Sequence, residues 1–359
     1  MSIFRDFFVK QKPIFTGLKF GFGSGGGAAA PGAISATGGE STYTSSGYKV
    51  HVFYTGTPSP QKVFTVNSGS GNIECFLVGS GGAGAYDSGG GGGGGACVYG
   101  TNIPVSPGSM NITVGATPAR IGGYVPGSPY ATYASNYQGK VSRIAHPGGN
   151  IDAAGGNSGG NTSPNPYTPN PFTYGVAPLP DGGTLGCGGG ALKPSPVNVP
   201  IPATSLNSPY PTPSAGTFNV YRNKGGSVPS SVTAPWISGG GGGAGGVGGN
   251  AGPESTDGQS QSAGDGGAGY DAASNISWMT TSYGANGIFG GGGGAGGNDG
   301  TPERPGGVGG PGGGGDGGPG SSAGDDATAN TGGGGGGSDS GSYDTGVGGS
   351  GAVFIAYQV

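Results

Sequence analysis

The sequence predicts a mostly β and irregular fold: a small antiparallel β-domain with an inserted polyglycine-II helix sandwich, long Pro/Tyr/Asn-rich loops, and little or no α-helix. Three observations predict it. Of 359 residues, 95 are Gly and 30 are Pro, and in a helix interior these cost about 1 and 3 kcal/mol against Ala. Short β-branched and aromatic runs cluster between residues 48 and 114 and recur at 352–359. Between them, side chains punctuate the glycine tracts at every third position.

A Gly and Pro content this high usually accompanies disorder. Soluble disordered chains carry many charges, however, and here charged residues make up only 8%. Hydrophobic residues at 31%, scattered among glycines, exclude an enzyme core of average density.

The elements follow in order. Residues 1–22 carry Phe4, Phe7, Phe8 and Phe15 among Arg5, Lys10 and Lys12. Their aromatics alternate with charges, so no secretory leader is expected. Phe4, Phe7 and Phe8 suit one helical turn that fills a groove. Residues 23–41 read as a Gly/Ala/Ser linker. Residues 42–115 hold strand candidates at 48–54 (YKVHVFY), 63–66 (VFTV), 73–78 (IECFLV), 97–103 (CVYGTNI) and 110–114 (MNITV), each bounded by Gly, Pro, Ser or Asn. The candidate at 352–359 (AVFIAYQV) makes most sense if it pairs back onto them. Residues 42–115 plus 352–359 are therefore the expected β-domain, and 116–351 the glycine-rich excursion.

Within the excursion, GGGGGAGG occurs unchanged at 239–246 and 290–297. Side chains follow at Ala244, Val247, Asn250 and Pro253, then at Ala295 and Asn298, Val308 and Pro311, and Val347 and Ser350. Period three is that of polyproline II, which has no internal hydrogen bonds. Every N–H and C=O must then bond to another segment. Glycine on two edges lets backbones approach, and the third edge is expected to face outward from the assembled helices. Collagen is rejected, because the Gly-x-y register at 306–320 fails at Glu303 and Ser321.

Chemical motifs are weak. The glycines at 79–84 match G-x-G-x-x-G, which any glycine-rich chain does, and no helix is expected after them. Cys75, Cys97 and Cys187 are too few for a disulfide framework and lack a C-x-x-C pair. They read as small buried hydrophobes, with a Cys75–Cys97 bridge left open. His51 reads as a strand residue and His146 as a loop residue. No catalytic constellation, metal site or cofactor is expected. No apolar run reaches the 18 residues that a membrane span needs. Residues 1–250 hold 12 Lys/Arg against 6 Asp/Glu, and 251–359 hold 1 against 11. The acidic distal part repels phosphate, so no nucleic-acid partner is expected.

Loop aromatics are the better functional candidates, because Tyr and Trp offer rigid amphipathic area. Tyr130, Tyr133, Tyr137, Tyr167, Phe172, Tyr174, Tyr210, Trp278 and Tyr283 are the candidate receptor-binding residues. Capping the ends of the glycine helices is their competing role.

The succession of YKVHVF, IECFLVGSGG, the glycine run before ACVYG, NIPVSPGSMNITVGA and GAVFIAYQV resembles the glycine-rich domain of bacteriophage tail-fibre and adhesin proteins. The opening, FRDFFVKQKPIFTGLKFGFG, is similar to N-termini of cyanophage structural proteins. The resemblance implies a non-enzymatic virion component with polyglycine-II helices that carry receptor-binding loops. It implies docking of Phe4, Arg5, Phe7, Phe8, Lys10, Lys12 and Phe15 onto another virion protein. A host surface glycan or outer-membrane protein would be the receptor, with a homotrimer compatible with a fibre. Only about 22 residues precede the linker, fewer than the fibre-binding domain of the best-known adhesins. A capsid or tail decoration without receptor binding is the alternative.

Overall fold

A computed structural model describes residues 32–54, 62–86, 89–120, 137–160, 187, 189–190, 216–228, 237–252, 262–298, 303–339 and 344–359. Among the described residues thirteen strands form: β1 Ser35–Thr37, β2 Ser41–Ser45, β3 Tyr48–Phe53, β4 Lys62–Ser68, β5 Gly71–Val78, β6 Cys97–Val105, β7 Gly108–Thr113, β8 Ser142–His146, β9 Gly149–Ala153, β10 Thr217–Tyr221, β11 Tyr270–Asp271, β12 Ile288–Phe289 and β13 Ala352–Gln358. A short helical turn, α1 Ala272–Asn275, is capped by the Asp271 carboxylate, which accepts from the Ser274 N–H.

Two antiparallel sheets make a sandwich. One has the order β1-β4-β7-β8-β9 and the other β10-β6-β5-β13-β3-β2, while β11 and β12 pair as a separate ribbon. The strand at 352–358 pairs back as expected. Val353 faces Phe53 of β3 on one side and Leu77 of β5 on the other. Period-two alternation then divides the side chains of the larger sheet. Phe53, Ile73, Leu77, Val353, Ile355 and Tyr357 meet Phe64, Ile112, Ile144 and Ile151 of the smaller sheet. Val50, Val52, Phe76, Val78 and Phe354 point the other way, onto Tyr270, Ile276, Trp278 and Phe289. The larger sheet is thus covered on both faces, which explains the near-continuous burial of β13.

Several expectations need correction. β1 lies inside the stretch read as a linker. β8, β9 and β10 lie inside the stretch read as a glycine-rich region with exposed loops, and they complete both sheets. His146 ends β8 and so is a strand residue. A Cys75–Cys97 bridge does not form, and all three cysteines are free and buried. Cys75 pairs with Gly100 while Cys97 pairs with Val78, and the two thiols belong to opposite faces of the sheet.

The glycine segments continue from the strand ends and bond laterally with strict period three. Gly79, Gly82 and Ala85 donate to Ala96, Gly93 and Gly90; Ser80 and Ala83 donate to Lys140 and Tyr137; Gly81 and Gly84 donate to Gly349 and Gly346. Three successive residues thus serve three different neighbours. The segment 290–297 is the centre of this bundle. Gly291, Gly294 and Gly297 donate to Gly312, Gly315 and Gly318 of a parallel neighbour. Gly292 and Ala295 donate to Gly267 and Gly264, and Gly293 and Gly296 to Gly92 and Gly89, of antiparallel ones. Its carbonyls accept from three more segments, through Gly241, Gly310 and Gly334. This is polyglycine II in a lattice of parallel and antiparallel helices. No described glycine inside 79–95 or 291–297 has positive φ, so these helices share one hand.

The outward third edge holds only in part. Val247, Asn250, Val308 and Pro311 are exposed. Ala244 and Ala295 are buried, as are Asn298 and Ser350. Ala244 is buried because it joins the apolar cluster of Phe289 and Trp278 beneath the larger sheet.

Candidate functional site

The glycine bundle has two ends. At the base, Gly79, Ala96 and Ala154 are bonded in succession, and these residues and Gly351 run directly into β5, β6, β9 and β13. At the opposite tip, hydrogen bonds of 2.8–3.2 Å link Ala85, Gly89, Gly90, Gly160, Gly190, Ser338, Gly297, Gly318 and Gly337. The chain leaves the described part of the bundle beside this tip at 86, 160, 190, 298 and 339. Segment 161–186 leaves at this tip and rejoins at Cys187, whereas segment 191–215 leaves at the tip and rejoins at Gly216, where β10 pairs with β6 in the sandwich.

The acidic residues of the distal sequence have a definite task there. Where a helix lies at the outside of the bundle, no neighbour remains to accept its N–H. Asp265 Oδ1 accepts from Val308 N at 2.8 Å, Asp316 Oδ1 from Gly309 N at 2.6 Å, and Asp326 Oδ1 from Val347 N at 3.0 Å. Arg120 ties this edge, bonding Asp326 Oδ2 and the Thr345 carbonyl at 2.7 Å each. Pro305, Pro311 and Pro319 are exposed on the same side and have no N–H to satisfy.

A second aromatic concentration lies on the outer face of the larger sheet. Glu74 accepts hydrogen bonds from Tyr48 Oη (2.9 Å), Tyr99 Oη (2.6 Å) and Trp278 Nε1 (2.7 Å). Tyr43 stacks on Tyr283 at 5.1 Å, and Tyr221 on Tyr270 at 3.9 Å. Burial, then neighbouring Tyr283, raises the Tyr54 hydroxyl to about 12 and pushes Tyr43 up further. Burial and the hydrogen bond to Glu74 likewise raise Tyr99. These phenols stay protonated at physiological pH, so they serve as donors and packing surface rather than as bases.

The predicted residues separate accordingly. Trp278 is fully buried, so its reading as a receptor-binding residue is corrected. Its indole anchors the 270–289 segment to the sheet through Glu74. Tyr283 is half-buried, stacks on Tyr43, meets Phe354 edge-on and lies beside Tyr54. Tyr137 belongs to the glycine bundle itself, its carbonyl accepting from Ala83 N at 3.0 Å. Tyr130, Tyr133, Tyr167, Phe172, Tyr174 and Tyr210 lie outside the described residues, as do Phe4, Arg5, Phe7, Phe8, Lys10, Lys12 and Phe15. Glu74 escaped the sequence reading, although a carboxylate inside the apolar run IECFLV signals a paired group.

Among the described residues, no group of three or more His, Cys, Asp or Glu side chains could hold a metal ion. Nor is any helix there long and apolar enough to cross a membrane. No family model and no curated protein matches the chain.

Proposed function

We propose that the chain is a non-enzymatic bacteriophage virion protein, a tail-fibre or fibre-tip adhesin that presents receptor-binding loops on a glycine-helix scaffold. One observation carries this reading. A laterally bonded helix bundle stands on a β-sandwich, and its far end is where the long Pro-, Asn- and Tyr-rich segments depart. A stiff backbone platform keeps its shape whatever side chains those segments carry, which suits variable recognition. The N-terminal segment docks onto another virion protein, and a host surface glycan or outer-membrane protein is the receptor.

A purely structural role, as a capsid or tail decoration or fibre, is the second reading. It is favoured by Trp278 and Tyr283, whose rings are used in packing. Replacing 161–186 and 191–215 by Gly/Ser sequences of equal length separates the two. The adhesin reading expects particles that assemble normally and no longer adsorb to host cells. Unchanged adsorption overturns it and leaves the structural role. Removing residues 1–22 is expected to give a folded protein that fails to enter particles.

A further inference from the structure

We propose that a cleft at the β-sandwich end farthest from the glycine tip binds a neutral saccharide. The cleft has a volume of about 520 Å³, within the range of roughly 300–1,000 Å³ usual for small-ligand sites. Ile34, Tyr48, Asn72, Glu74, Asn102 and Gln358 are among the residues that line it.

Its floor is built by an irregularity. Ile73 pairs with Ile103 and Cys75 with Gly100, so β6 supplies an extra residue opposite Glu74. Asn102 absorbs it at φ 55, a left-handed conformation that costs energy for a residue other than glycine. Bulges of this kind re-aim side chains, and they are frequent beside binding sites. Here the bulge brings Asn102 to the same cleft as Asn72, Gln358 and the Glu74 carboxylate.

Three exposed carboxamides beside one carboxylate define the ligand. The Asn72 and Asn102 carboxamides have no hydrogen-bond partner among the described residues. Glu74 Oε1 accepts from Tyr48 alone, while Oε2 accepts from two donors. Gln358 uses its amide nitrogen on Tyr48 at 3.4 Å and keeps its oxygen available. Donors and acceptors therefore mingle within one cleft, which matches hydroxyl groups that are both at once. Ile34 and Tyr48 add apolar surface for the C–H face of a pyranose. No Lys, Arg or His lines the cleft and one carboxylate does, so phosphate, sulfate and uronate are disfavoured. The cleft lies at the end of the sandwich away from the bundle-tip residues Ala85, Gly89, Gly160 and Gly190.

The test uses the full chain with a ¹⁵N-labelled Trp278 indole, whose N–H is bonded to Glu74. It is titrated with methyl glycosides of glucose, galactose, mannose and N-acetylglucosamine, and with glucuronate. A saturable shift of this resonance with at least one neutral glycoside, and a weaker response to glucuronate, are expected. In Asn72→Ala/Asn102→Gly, where glycine suits the φ of residue 102, affinity is expected to fall at least about tenfold, for two lost hydrogen bonds. The circular dichroism should stay unchanged. No saturable shift, an equal affinity in the variant, or glucuronate binding as tightly as glucose would each overturn the proposal.

Discussion

Substituting Gly293 by Ala probes the idea that bare backbones replace an apolar interior. Gly293 lies in the central helix, and a Cβ there would sit 2.1 Å from the Gly335 carbonyl oxygen and 2.6 Å from its carbon. Ordinary contact begins near 3.4 Å, so the 332–338 helix must retreat by about 1.3 Å. That helix is held by Gly334 N to Gly291 O at 2.8 Å and Gly337 N to Gly294 O at 2.9 Å. Both bonds would stretch past 3.5 Å, where little hydrogen bonding remains. Each buried N–H left without a partner costs about 1–3 kcal/mol. The stiffer unfolded chain returns about 0.4–1 kcal/mol, for a net loss of roughly 1–5.5 kcal/mol. At about 2–4 °C per kcal/mol for chains somewhat shorter than this one, the midpoint of thermal unfolding should fall by about 2–20 °C. Gly246→Ala is the control, because its Cβ meets nothing closer than 3.3 Å. Differential scanning calorimetry of the two variants beside the parent decides the matter. Equal midpoints for Gly293→Ala and Gly246→Ala would refute lateral backbone packing as the source of stability.

Three further outcomes are expected. His51 is buried, bonds the Gly38 carbonyl at 2.7 Å and lies against Phe64 and Tyr357, and burial lowers its pKa below the usual 6.5. The unfolded chain therefore takes up the proton first, so His51's contribution is complete above about pH 6.5 and is lost as pH falls below it. The unfolding midpoint should drop between pH 7 and 5, and a His51→Gln variant should flatten that slope. Phe354→Ala removes a ring packed on Phe76 and Phe289 and should cost about 3–5 kcal/mol in urea unfolding; a loss under 1 kcal/mol would count against a shared core. Burial pushes the Cys187 thiol up to about 12 and raises Cys75 and Cys97 as well. An aromatic disulfide reagent at pH 8 should therefore leave all three untouched in the native protein and titrate all three in guanidinium, and rapid native reaction of any one would contradict its burial.

Period three was legible because a helix without internal hydrogen bonds imposes its repeat on whatever surrounds it. The partner strand for 352–358 was legible because eight residues of AVFIAYQV have no other apolar surface to meet. β8 and β9 were not, since SRIAH and GNIDA each bury few side chains and pair mainly with each other and with β7. β1 is only three residues long and is held by its register with β4. The inward turn of Trp278 depends on Glu74, 204 positions earlier, a relation that no local pattern carries. The acidic bias of residues 251–359 was legible as charge, yet its use as acceptors for stranded N–H groups required knowing which helices lie outermost.

The position of β13 between β3 and β5 has a consequence for biosynthesis. Tyr48–Phe53 and Gly71–Val78 emerge from the ribosome some three hundred residues ahead of the strand that joins them. Until it arrives, two apolar edges stand open in the nascent chain, the situation most prone to wrong pairing. Completion of the larger sheet is thereby deferred until that strand has been synthesised, and its pairings are of high contact order.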